Sequence, residues 1–128
     1  MTLEYRLIQK VNPRDINEPK KFYAKAVNRG KLSLRQLSKE IADISTVSIV
    51  DTTAVIESLI LLIPKHITQG ETVQLGDFGS FYVSLTSEGT EREEDFSSNK
   101  IKNIKIQFRP GKELKNAVSS TNFLQQQK

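Results

Sequence analysis

A chain of 128 residues fits one domain, or a core domain with an extension, and an apolar content of 37% supports a modest core but not a membrane protein. The absence of cysteine excludes a disulfide framework and a thiolate metal site, and suits a reducing cytoplasm. A net charge of +4 and a pI near 9.4 favour a polyanionic partner only mildly until the charges are placed along the chain.

Residues 3–11 alternate, with Leu3, Tyr5 and Leu7 on one side and Glu4 and Arg6 on the other, which predicts a half-buried strand. The charges among the first six residues do not read as a secretory signal, which needs a basic start and then an apolar stretch. Asn12 to Pro19 is rich in turn formers and reads as a loop. Phe22, Ala24 and Ala26 alternate again, so residues 1–30 are expected to form a β-hairpin extension.

Ser33 with Gln36 makes a capping box, and Leu34, Leu37, Ile41 and Ile44 follow at helical spacing. Ser48 with Asp51 repeats the capping pattern and opens a second helix running toward Gly70. That helix is apolar around most of its girth between Leu59 and Ile63, more than one chain of this size can cover, so a second subunit is expected. Pro64 removes a backbone donor and predicts a kink or an early end there. No apolar run nears the roughly 18–20 residues that span a bilayer.

Short strands are expected over Thr72–Gly76 and Ser80–Leu85, with Gly76-Asp77-Phe78-Gly79 marking a bulge or close backbone approach. Thr90 to Asn99 is polar and acidic. Lys102–Phe108 reads as a strand with Ile104, Ile106 and Phe108 on one face and Lys105 and Gln107 on the other. Pro110-Gly111 ends it, and a short helix with Leu114, Ala117 and Val118 inward follows. The polar tail 119–128 is expected to be disordered beyond Phe123.

The charges are segregated: residues 1–40 hold ten Lys/Arg and four acids, residues 41–99 two and ten, residues 100–128 seven and one. Such segregation can set a phosphate-facing surface beside one that avoids phosphate. Catalytic machinery is not expected. His66 is the lone histidine, and the acids Glu91, Glu93, Glu94 and Asp95 form a solvated run without a glycine pivot or a pocket. No phosphate loop, dinucleotide fingerprint or nucleophile elbow is present, so no cofactor, metal or small-molecule substrate is expected. The tandem helices are no groove reader, because the second shows Val55, Ile56, Leu59 and Ile60 where base edges need polar groups.

The order strand, strand, helix, helix, strands, short helix carries two specific segments. Gly76-Asp77-Phe78-Gly79-Ser80-Phe81 resembles the Gly-x-Phe-Gly-x-Phe turn of the HU and integration-host-factor class of bacterial histone-like proteins. Phe108-Arg109-Pro110-Gly111-Lys112-Glu113-Leu114-Lys115 resembles that class's closing segment. The resemblance covers about residues 33–118, and the extension is similar to longer HU-related proteins of Bacteroides-type bacteria. It implies an α+β fold: an intertwined dimer with two core helices, a β saddle with a ribbon arm, and a short final helix. Residues 31–118 would be the DNA-binding domain.

The resemblance further implies sequence-tolerant binding of double-stranded DNA by a homodimer, or a heterodimer with a paralogue, in the cytoplasmic nucleoid. The expected phosphate contacts are Lys100, Lys102, Lys105, Arg109, Lys112 and Lys115, with Lys20, Lys21, Lys25 and Arg29 adding to them. Gly76, Phe78, Gly79, Phe81, Phe108, Pro110 and Gly111 would be the structural motif. The chain departs from the class at the arm. No proline lies between Leu85 and Ile101, so the usual intercalating wedge has no counterpart, and the segment is acidic. An alternative reading is a protein-interaction or structural module on the same fold.

Overall fold

The computed structural model describes residues 1–127; Lys128, the last residue of the polar tail, lies outside the described residues. The chain is mixed α+β. Its elements are β1 (Thr2–Lys10), β2 (Lys21–Ala26), α1 (Leu34–Ile44), α2 (Ile49–Ile67), β3 (Val73–Gln74), β4 (Gly79–Ser87), β5 (Ile101–Pro110), α3 (Lys112–Ser119) and β6 (Asn122–Gln125). They fall into two compact units, one of residues 1–31 with 116–128, the other of residues 32–115.

The first unit is a three-stranded sheet in the order β2-β1-β6. β1 and β2 pair antiparallel from Tyr5↔Ala26 to Lys10↔Lys21. The tail differs from its expectation of disorder: β6 pairs parallel with β1, from Thr2↔Asn122 to Tyr5↔Gln125. Phe123 and Leu124 give the segment an apolar side on each face, which composition averaged over a polar tail conceals. Residues opposite one another share a face. Leu3, Tyr5, Leu7, Phe22, Ala24, Ala26 and Phe123 therefore form an apolar face, and Arg6, Lys10, Lys21 and Lys25 lie on the other.

In the second unit α1 begins at a full capping box. Ser33 Oγ accepts from the Gln36 backbone N–H (3.1 Å), and the Ser33 N–H donates to the Gln36 side chain (2.9 Å). Ser48 caps α2 through the Asp51 N–H (3.0 Å). The helices meet at small polar residues: Ser38 and Thr52 are buried, and Thr53 Oγ1 donates to Ser38 Oγ (3.3 Å). Pro64 does not end α2, which continues to Ile67. A proline leaves unpaired the carbonyl four residues earlier, here Ile60, a local loss of one bond that does not stop the turns on either side. The end is then fastened by Thr68, whose N–H and Oγ1 both donate to the Pro64 carbonyl (3.1 and 2.7 Å). Gly70 at φ +90° lets the chain leave the helix in the left-handed region. Among the described residues, no helix is long and apolar enough to cross a membrane.

The second sheet runs β3-β4-β5, all antiparallel. Among the described residues of the single chain only Ile67 is a buried apolar residue. Leu61 stays 75% exposed on α2 and Ile106 71% exposed on β5, and Val55, Ile60 and Leu62 are also open. Apolar surface of this extent is what burial against another body would remove from water.

Candidate nucleic-acid interface

The two motif segments, about thirty residues apart in sequence, meet in space. The chain turns between β3 and β4 with the Phe78 N–H donating to the Leu75 carbonyl (3.0 Å) and the Leu75 N–H to the Gly79 carbonyl (2.8 Å). Gly76 takes φ +53° and Gly79 φ +149° to make the turn. A Cβ on Gly79 would lie 2.5 Å from the Phe108 ring and 2.6 Å from the Arg109 carbonyl. The Gly111 N–H donates to the Phe78 carbonyl (3.0 Å), and a side chain on Gly111 would collide with the Asp77 backbone. Phe108 stacks at a tilt on Phe81 (4.8 Å between centroids) and Phe78 (5.6 Å). Pro110 ends β5 opposite Gly79. This knot sets the register of β4 on β5 and the start of α3.

That register sorts the ribbon into two faces. Phe81↔Phe108, Val83↔Ile106 and Leu85↔Ile104 make one apolar. Ser80↔Arg109, Tyr82↔Gln107, Ser84↔Lys105 and Thr86↔Asn103 make the other polar, and Gln74 joins it opposite Ser80. No carboxylate occupies any of these polar-face positions. The Arg109 guanidinium lies 5.3 Å from the Tyr82 ring centroid, a cation–π contact that orients it, and Gln107 Nε2 donates to Ser84 Oγ (3.1 Å). The face can accept phosphate oxygens on Lys105 and Arg109, with hydroxyl and amide donors between them.

The six expected contact residues do not act as one group. Lys105 and Arg109 share the polar face. Lys102 is the extra residue where the register slips between Thr86 and Ser87, and it faces away from that pattern. Lys102 Nζ stands 3.7 Å and Lys100 Nζ 4.0 Å from the Glu88 carboxylate, so one acid holds both beside the arm. Such exposed pairs are worth about 0–1 kcal/mol and can open. Lys112 and Lys115 sit one turn apart on α3, both exposed. Of the N-terminal cations, Lys21 and Lys25 lie on β2, Lys20 just before it and Arg29 beyond it. The places of Ser80, Tyr82 and Ser84 on this face were missed from sequence. Their alternation with Phe81, Val83 and Leu85 was the available signal, since it puts them on the face of Lys105.

The arm between β4 and β5 is compact. Two single 3₁₀ turns, Glu93–Asp95 and Ser98–Lys100, take the place of a longer ribbon. Arg92 Nε lies 3.4 Å from the Glu94 carboxylate, leaving the arm's other acids to dominate its charge.

Residues 1–125 match the family model HU-HIG, described as an HU domain fused to wHTH, Ig or a glycine-rich motif, and the chain belongs to that family. Among solved structures it is similar to a protein of Bacteroides vulgatus provisionally described as a bacterial DNA-binding protein. The TM-score is 0.63 at 17% identity, over 97% of this chain and 47% of that one. This chain thus spans about half the length of that neighbour, and the likeness is one of fold. None of the curated proteins matches it.

Proposed function

We propose that the chain binds double-stranded DNA with little regard to sequence, as a homodimer with an architectural role in the nucleoid. Residues 31–118 would be the binding domain and residues 1–30 a β extension. The observation that carries the reading is the polar face of β4 and β5: cationic, rich in hydroxyl and amide donors, and free of carboxylates. The HU family match and the description of the Bacteroides neighbour agree with it. A ribbon with such a face meets sugar–phosphate backbones, and it offers too few fixed donors to read base edges.

Burial supports the homodimer. A chain whose only buried apolar side chain among the described residues is Ile67 lacks a core of its own size, and the open residues of α2 supply one if paired with their own copy. Sedimentation equilibrium at micromolar concentration should give twice the chain mass, and Leu61→Asp should shift it to monomer with loss of stability. A stable folded monomer for the unaltered chain would end the dimer reading.

With Lys100 and Lys102 engaged by Glu88, and the N-terminal cations Lys20, Lys21, Lys25 and Arg29 left out of this surface because β2 belongs to the other sheet, four cations per chain remain: Lys105, Arg109, Lys112 and Lys115. Two copies then release up to eight counterions, so log affinity against log salt should slope by roughly −4 to −7. Arg109→Ala with Lys105→Ala should weaken binding to all duplex sequences alike and flatten the slope by about 3 to 4 for the dimer. Unchanged binding in that variant would refute the ribbon as the contact surface. The exposed apolar side of the same ribbon, Leu85, Ile104 and Ile106, favours the second reading, a protein-interaction module. That reading requires the variant to keep its partner while duplex binding is absent throughout.

A further inference from the structure

The polar face of the N-terminal sheet carries a separate arrangement. Arg6 stands opposite Lys25 and Lys10 opposite Lys21, with Ile8 opposite Tyr23 between the two pairs. Arg6 and Lys10 are four residues apart along β1, which separates the cationic pairs by about 13 Å. Like charges directly opposite in an antiparallel ladder oppose its formation. Among the described residues none of the four cations has a carboxylate within ion-pair distance. Glu4, the acid on this face, lies opposite Leu124 beside β6, and Glu18 of the loop accepts from the Asn12 side chain (2.9 Å).

Each cationic pair borders a recess. One, of about 350 Å³, is lined by Lys10, Lys21 and Tyr23 together with Asn12 and Glu18. The other, of about 390 Å³, is lined by Arg6, Lys25, Asn28 and Gln126. Both volumes fall in the range of small-ligand clefts. The Tyr23 ring is 46% exposed, and Lys10 Nζ lies 5.8 Å from its centroid.

We propose that this face binds an unpaired nucleic-acid strand, with a base stacked on Tyr23 and the flanking phosphates held by the Arg6–Lys25 and Lys10–Lys21 pairs. An exposed ring between cations suits an unpaired nucleotide, because every base offers a π-face and every linkage a charge. A duplex keeps its bases stacked inside and gives the ring nothing to cover. The two mirrored cationic pairs, each against a recess, give the backbone a place to continue on either side of the ring. The face shares no residue with the ribbon, so this inference does not rest on the duplex reading.

Anisotropy titrations of the full chain with labelled oligothymidylate, oligouridylate and a mixed-sequence duplex test it. Tyr23→Leu should weaken binding of an unpaired strand roughly tenfold, and Tyr23→Phe should keep it, because stacking needs the ring and not the hydroxyl. Lys21→Gln with Lys25→Gln should flatten the salt slope for the unpaired strand by about 1.4 per chain. All three variants should bind duplex as before, and Lys105→Gln with Arg109→Gln should do the reverse, losing duplex and keeping the unpaired strand. The inference is overturned by failure of both single strands to bind. It is equally overturned if Tyr23→Leu has no effect, or if the lysine pair weakens duplex and single strand alike. Normal duplex binding by the Lys105–Arg109 variant would instead remove the ribbon reading and leave this one in place.

Discussion

The two sheets have the same division of faces but handle charge differently. On the ribbon's polar face each cation stands opposite a hydroxyl, Lys105 opposite Ser84 and Arg109 opposite Ser80, and Arg109 has the Tyr82 ring near it. In the N-terminal sheet cation faces cation, and the ring at the centre of the face is Tyr23. The ribbon's arrangement is at rest without a ligand. The other leaves repulsion that an anion would relieve. Cationic faces of similar size can therefore differ in what they gain on binding, and cross-strand register, more than net charge, makes that difference.

The contrast also concerns what holds each sheet. The ribbon depends on the close approach at Gly79, whereas the strands of the N-terminal sheet contain no glycine. Gly79→Ala is the sharpest way to separate them. Its methyl would strike the Phe108 ring at a backbone angle that side chains rarely adopt, at a cost of roughly 1–3 kcal/mol or more. Hydrogen exchange should show lost protection in β4 and β5 with β1 and β2 unchanged. Equal loss in both sheets would show that they do not fold as separate units.

A smaller change bears on the repulsion itself. Lys25→Gln removes one of two like-charge pairs and should stabilise the β1–β2 ladder by about 0.2–1 kcal/mol at low salt, with the gain vanishing as salt rises. Destabilisation at low salt would mean that the cations are not in conflict. The smallest effect is expected from Glu88→Gln, which frees Lys100 and Lys102 from an exposed carboxylate. Duplex affinity should rise slightly or stay level, and stability should change by less than about 1 kcal/mol. A clear loss of duplex binding would make the acidic arm part of the working surface.

The helices were legible in the sequence because their signals are local. Ser33 with Gln36 and Ser48 with Asp51 announce their helix starts within four residues, and both caps form. The alternation in β1, β2, β4 and β5 is local in the same way. The early end expected at Pro64 did not occur, because one lost bond is local and the stop is made by the capping bonds of Thr68 and by Gly70. The tail misled because the pairing of β6 with β1 joins the two ends of the chain.

The candidate site was legible only in part. Composition showed that the last thirty residues are basic. It did not show that Glu88 would hold Lys100 and Lys102 while Lys105 and Arg109 share a face with Tyr82 and Gln107. Alternation along β5 already takes Lys102 off the face of Lys105 and Arg109, and the slip between Thr86 and Ser87 leaves it without a cross-strand partner, beside Glu88. By itself the sequence determined the helices, the strands β1, β2, β4 and β5, the family to which they belong and the sign of the charge on each segment, because these depend on neighbours a few positions apart. The tertiary structure decided which charges stand together, because pairing between distant strands sets register, and register sets the face.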